Sequence, residues 1–155
     1  MIFENYKLKN ITLRNRIVMA PMTRNQSPGG IPTQEVIAYY SRRAKAEVGL
    51  IITEGIEVSH EASSAYPNVP RLDSIEAKEA WKKVVEGIKN NNGAVIAQLW
   101  HCGGFRKLGM QPNPEVPGHT ASGLVKPGKK VAHEMTLNDI RAVSYTHLTL
   151  PTRLL

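Results

Sequence analysis

Cysteine is almost missing from this chain. Cys102 stands alone, which excludes an internal disulfide and any zinc site assembled from several thiolates. No apolar run approaches the roughly 20 residues that a membrane-spanning helix requires. The first residues, Met1-Ile-Phe-Glu-Asn-Tyr6, lack both the basic start and the apolar stretch of a secretory leader, so the expected compartment is cytoplasmic. Neither a Gly-x-Gly-x-x-Gly turn nor a Gly-Lys-Ser loop is present, which removes the usual cradles for nucleotide phosphates. Aromatic residues make up only 6% and do not interleave with the basic ones. The net charge of +7 is therefore no nucleic-acid signature: Lys7, Lys9, Arg14, Arg16, Arg24, Arg42, Arg43 and Lys45 are scattered, without a run of five. Such imbalance also suits a piece of a larger protein. A basic binding module and a non-catalytic fragment stand as the alternatives to an enzyme.

What the chain does have is periodicity. At 155 residues and 41% hydrophobic, it can build one sizeable core. Tyr6 to Arg14 reads as a hairpin turning at Lys9-Asn10, with Leu8, Ile11 and Leu13 as its apolar positions. Ile17 to Ala20 is a short apolar strand that stops at Pro21, whose missing N–H cannot serve a buried ladder. Thr33 opens a helix to about Glu47, with Val36, Ile37, Tyr40, Ala44 and Val48 on one stripe and Gly49 suited to its C-terminal cap. Leu50 to Ile56 is a strand too apolar for a sheet wet on one face. Asp73 with Glu76 has capping-box spacing. The next helix carries Ala77, Ala80, Trp81, Val84, Val85 and Ile88 at 3.6-residue period and stops at Asn90-Asn-Asn-Gly93. Ala94 to Trp100 is the third buried strand. A loop rich in Gly and Pro follows from Cys102 to His133, of the length usual for lids and binding loops.

Strands alternating with helices predict an α/β fold with parallel pairing through crossovers. A doubly wound sheet and a β/α barrel share that order. Each strand, however, ends in ligand-like chemistry: Thr23 and Arg24 after the first, Glu54 and Gly55 in the second, Gln98, Trp100 and His101 in the third. Sites at strand carboxyl ends are the habit of barrels, which favours the barrel. His101 beside Cys102 has no visible orienting carboxylate for nucleophilic catalysis. His60, His119 and His133 lack metal-ligand spacing and read as solvated, so no metal is expected.

Taken together, Ala20-Pro-Met-Thr-Arg24, Thr53-Glu-Gly-Ile-Glu-Val-Ser59 and Ala97-Gln-Leu-Trp-His-Cys-Gly103 resemble the N-terminal part of the Old Yellow Enzyme family. The likeness runs from the hairpin through Ser122-Gly-Leu124 and Met135-Thr136, about residues 1–143. It implies about three βα units plus the hairpin of an incomplete TIM (β/α)8 barrel, and an oxidoreductase that moves hydride from NAD(P)H through FMN to activated alkenes. It also assigns roles: Pro21 and Met22 beside the flavin, Thr23 donating to its O4 edge, Gly55 admitting the ring, and Gln98 meeting its pyrimidine edge. Trp100 and Tyr66 would border the space for a small-molecule substrate. The family's His/Asn pair and Tyr proton donor have no counterpart in these residues, so the resemblance supplies no catalytic acid or base here and implies an inactive isolated chain. One departure is plain. The family commonly places Arg directly after His-x-Gly, whereas Gly104 and Phe105 precede Arg106. Residues 144–155 break the helical stripe begun at Thr136 and resemble adapter read-through, an expected non-native tail.

Overall fold

The computed structural model describes residues 1–148. An N-terminal antiparallel hairpin, β1 (Tyr6–Leu8) and β2 (Ile11–Leu13), pairs Tyr6 with Leu13 and Leu8 with Ile11. Lys9 takes a φ of 50° at its turn. Of the three apolar hairpin positions only Leu13 is buried.

The centre is a three-stranded parallel sheet in the order β3-β4-β5. β3 is just Val18–Met19, shorter than the expected Ile17–Ala20, although the Ile17 carbonyl still accepts from the amides of Gly49 and Leu50. β4 (Leu50–Glu57) is buried along nearly its whole length, and β5 is Ala94–Trp100. Helices α1 (Gln34–Lys45) and α2 (Ile75–Lys89) provide the crossovers and pack on each other. Their stripes meet the sheet as the periodicity requires. Val36, Tyr40 and Ala44 from α1, Trp81, Val84 and Ile88 from α2, and Ile51 and Ile56 from β4 form one core cluster.

The helix ends differ from expectation in instructive ways. Thr33 caps α1, its hydroxyl accepting from the Val36 amide. The left-handed residue after α1 is Glu47, at φ 65°, and not Gly49. Gly49 answers a different need, because a Cβ there would meet the Asn15 side chain at 2.4 Å and its carbonyl at 2.5 Å. The cap of α2 is Ser74, which accepts from Ala77 at 3.0 Å, so Asp73 and Glu76 form no capping box.

The Gly/Pro-rich stretch after β5 has structure of its own. β7 (Leu124–Lys126) and β8 (Lys129–Lys130) make a small antiparallel pair, nested between the parallel partners β6 (His119–Thr120) and β9 (His133–Glu134). Thr136 and Asp139 then cap α3 (Leu137–Leu148) reciprocally: the Asp139 carboxylate accepts from the Thr136 amide at 2.7 Å, and the Thr136 hydroxyl from the Asp139 amide at 3.2 Å. α3 does not break at Ser144, as the stripe suggested, but continues to Leu148. A capped nucleus extends through Tyr, Thr, His and Leu at small cost per residue. The rest of the proposed tail, residues 149–155, lies outside the described residues.

Candidate functional site

The chain leaving β3 and the carboxyl end of β5 come to one place. A cavity of about 250 Å³ is lined by Pro21, Thr23, Gln98, Leu99 and Trp100. The first two residues follow β3 and the last three end β5. The structure thus brings together Pro21, Thr23, Gln98 and Trp100. Tyr66 sits against Trp100, with ring centroids 6.2 Å apart. Met22 is 51% exposed and is not among the lining residues. Gly55 pairs with Gln98 across the sheet and lies behind Trp100: a Cβ on it would fall 2.0 Å from the indole Cε3. Glycine at 55 is therefore required by the tryptophan itself.

Two local devices hold the cavity's polar groups. The β4–β5 register slips between Ile52 and Gly55, a bulge that re-aims the strand end. There the buried Thr53 hydroxyl accepts from the Gln98 amide at 3.1 Å and donates to the Glu54 carbonyl at 2.8 Å. The Gln98 amide thus keeps a partner, the Thr53 hydroxyl, where the ladder is interrupted.

The second device is an ion pair buried on its acidic side. Arg24 donates to Glu54 from its guanidinium at 2.6 Å and from its amide at 3.2 Å. Glu54 is fully buried, and its own amide donates to the Tyr40 hydroxyl at 2.8 Å. The Arg24 guanidinium also lies 3.7 Å from the Tyr39 ring centroid. Burial, with the Glu54 carboxylate beside it, drives the Tyr40 phenol well above its ordinary range, so Tyr40 stays a neutral donor and acceptor. The turn Pro21–Thr23 is thereby pinned to the inside of β4, which runs three residues past Glu54 to Glu57. Sequence reasoning noted Arg24 and Glu54 as strand-end residues but not as partners. The signal was a cation just after one strand and an acid in the second half of its parallel neighbour.

Arg106 was missed more completely. Its side chain is 1% exposed, and its guanidinium serves backbone carbonyls alone. Nε donates to Val116 at 3.0 Å, the terminal nitrogens to Met110 at 2.8 Å and Gln111 at 3.4 Å, and further to Ser64 and Asn113. This one cation ties the loop after β5 to the loop after β4 that carries Tyr66. Ser64 holds Tyr66 in turn, its hydroxyl accepting from the Tyr66 amide and donating to the Tyr66 carbonyl.

The histidines read as solvated are neighbours: His133 is exposed, His60 half-buried and His119 buried. His60 Nδ1 lies 3.0 Å from His101 Nε2, and the His60, His119 and His133 rings follow at 4.9 and 4.4 Å. Burial lowers the basicity of His60 and His119, and for His119 the adjacent His60 and His133 add to it. His133 meets Asp139 at 3.0 Å. Distant loops converge here, which spacing along the chain could not reveal. Among the described residues no group of three or more His, Cys, Asp or Glu is arranged to hold a metal ion. Burial, reinforced by Glu57, pushes the Cys102 thiol up to about 11, which keeps it protonated and unreactive near neutrality. Glu57 itself rises to about 7, chiefly by burial, with Ser64, Arg71 and Arg106 pulling the other way. Its Oε1 has no hydrogen-bond partner among the described residues.

Comparison with known proteins agrees with this layout. The model of the NADH:flavin oxidoreductase / NADH oxidase family matches residues 1–148. The rice (Oryza sativa subsp. japonica) protein 12-oxophytodienoate reductase 7 is 38% identical over 116 residues, 75% of this chain and 29% of its own. The Arabidopsis thaliana 12-oxophytodienoate reductase 2 is 33% identical over 141 residues, 91% of this chain and 36% of its own. The solved Old Yellow Enzyme from Pichia sp. AKU4542 superposes with a TM-score of 0.83 at 27% identity, over 95% of this chain and 40% of that one. The chain thus spans about a third of the length of these curated relatives. The order β3-β4-β5 would also open a doubly wound sheet, and the superposition assigns it to an incomplete (β/α) barrel.

Proposed function

This chain belongs to the NADH:flavin oxidoreductase / NADH oxidase family, and we propose that it is the N-terminal part of an FMN-dependent ene-reductase that acts in the cytoplasm on small molecules. The observation that carries this reading is the donor set at one cavity: Thr23, Gln98 and Trp100, at strand carboxyl ends. Neither the Thr23 hydroxyl nor the Gln98 carboxamide is engaged by another described residue. A hydroxyl donor and a two-way amide beside an indole fit a flat, polar-edged ring, as a flavin is.

FMN held here would supply hydride chemistry, from NAD(P)H to the β-carbon of an alkene activated by a carbonyl or nitro group, with the α-carbon gaining a proton. The residues of this chain hold and tune. Thr23 would donate to the O4 edge, where negative charge would gather on reduction, and so would favour the reduced form. Gln98 would offer its N–H₂ to the O2 edge and its carbonyl to N3–H. Pro21 and Met22 supply main-chain and apolar contact, and Gly55 keeps the strand tip free of a side chain. Trp100 and Tyr66 exclude water and border the substrate. The proton donor is not assigned within these residues, and residues 144–155 are proposed to be foreign to the protein.

The test is the full-length gene product. It should purify with bound flavin that NADPH or NADH bleaches anaerobically. Thr23→Ala should retain flavin but shift its reduction potential negative, and Gln98→Ala should weaken flavin retention about tenfold or more, for two lost hydrogen bonds. A colourless protein that gains no flavin on reconstitution would overturn the reading.

A further inference from the structure

Phe105 belongs to the segment where this chain departs from the family pattern, in the short 3₁₀ turn Gly103–Phe105 that precedes Arg106. Phe105 is 57% exposed, with its ring stacked on Tyr66 at 6.2 Å and 27°. Tyr66 in turn meets Trp100 at 6.2 Å and 45°, and Trp100 lines the cavity. The three rings form a continuous aromatic flank leading outward from the strand ends. The backbone that carries its outer member is anchored beside it, since the neighbouring Arg106 donates to five backbone carbonyls.

We propose that Phe105 is a specificity-determining residue: it forms the outer lip of the substrate site and selects activated alkenes whose β-carbon bears an extended aromatic group. This rests on the ene-reductase reading above. A small cyclic enone would reach no farther than Trp100 and Tyr66. An aryl group on the β-carbon would extend along the flank and stack at its outer end, where offset aromatic contact adds to area burial. The effect belongs to binding and not to the chemical step, since the lip is remote from the reacting carbon.

The experiment compares the full-length holoenzyme with its Phe105→Ala and Phe105→Trp variants. For benzylideneacetone, Phe105→Ala should raise KM about five- to tenfold with kcat little changed. For cyclohexenone both constants should stay put, and Phe105→Trp should preserve the aryl preference. Calorimetric titration with benzylacetone, the saturated product, should show the same loss of affinity in Phe105→Ala. Equal benzylacetone affinity in wild type and Phe105→Ala overturns the inference. So does a parallel loss for both enones, which would mark Phe105 as packing only. A holoenzyme that reduces neither enone defeats the proposed function instead, and benzylacetone binding then still decides the role of the lip.

Discussion

Gly55 shows how a single missing methyl group organises a site. The space its Cβ would fill belongs to Trp100, within 2.0 Å of the indole edge, and Trp100 is the wall shared by the cavity and Tyr66. Gly55→Ala should therefore expel the indole and destabilise the protein by about 2–3 kcal/mol, the usual cost of overpacking a filled position. Chemical denaturation checks the size, and a red-shifted, more quenchable Trp100 fluorescence checks the cause. Glu57 gives a second result at this scale. Its carboxyl ordinarily loses its proton near 4.5 but holds it to about 7 in the fold. Between those values the folded state binds a proton that the unfolded state has released, so stability is full below about 4.5 and falls as pH rises through about 7. Removing the titration with Glu57→Gln should flatten that decline and raise stability above neutrality by up to about 3 kcal/mol. The melting temperature followed from pH 4 to about 8 would reveal a flat wild-type profile if the carboxyl were not so held.

At the scale of elements, the loop after β5 is governed by one cation. It contains short pairs β6–β9 and β7–β8, but little apolar core: Leu108, Leu124 and Val131 are all exposed. Its order comes from the five carbonyls that converge on Arg106. Arg106→Ala would leave buried acceptors without donors, a loss of at least about 3 kcal/mol. Cleavage by a protease between residues 107 and 117 should accelerate well before the sheet unfolds, and lysine at 106 should rescue little, since a point cation cannot fork to five acceptors. Uniform acceleration of cleavage across the whole chain would contradict this account. The Arg24–Glu54 pair plays the matching role on the other side of the cavity. Glu54→Gln should leave the partly buried Arg24 guanidinium without its counter-charge, cost about 2 kcal/mol and loosen the Pro21–Thr23 turn.

On the scale of the whole molecule, the sheet has two edges among the described residues. β3 and β5 each pair on one side, and Val18, Ile96 and Leu99 present apolar surface at 47%, 37% and 37% exposure. Relatives about three times as long have chain to cover such faces. Open parallel edges with apolar flanks promote association. The 155-residue chain alone should therefore self-associate and fail to retain FMN. Light scattering coupled to gel filtration, with flavin absorbance recorded on the same peak, would refute this by showing a yellow monomer with one flavin per chain.

The sequence alone determined the elements and their order. Periodicity is a local property, and it marked α1, α2, β4 and β5 almost to the residue. It also marked Pro21, Thr23, Gln98 and Trp100, because a strand's end is where its pattern stops and polar chemistry starts. Only the tertiary structure decided what meets what. The Arg24–Glu54 pair spans 30 residues, the Arg106–Ser64 contact 42 and the His60–His101 contact 41. No local pattern encodes such partners, for they depend on where crossovers set separate strand ends side by side. The same holds for Gly55, whose reason is a ring 45 residues away.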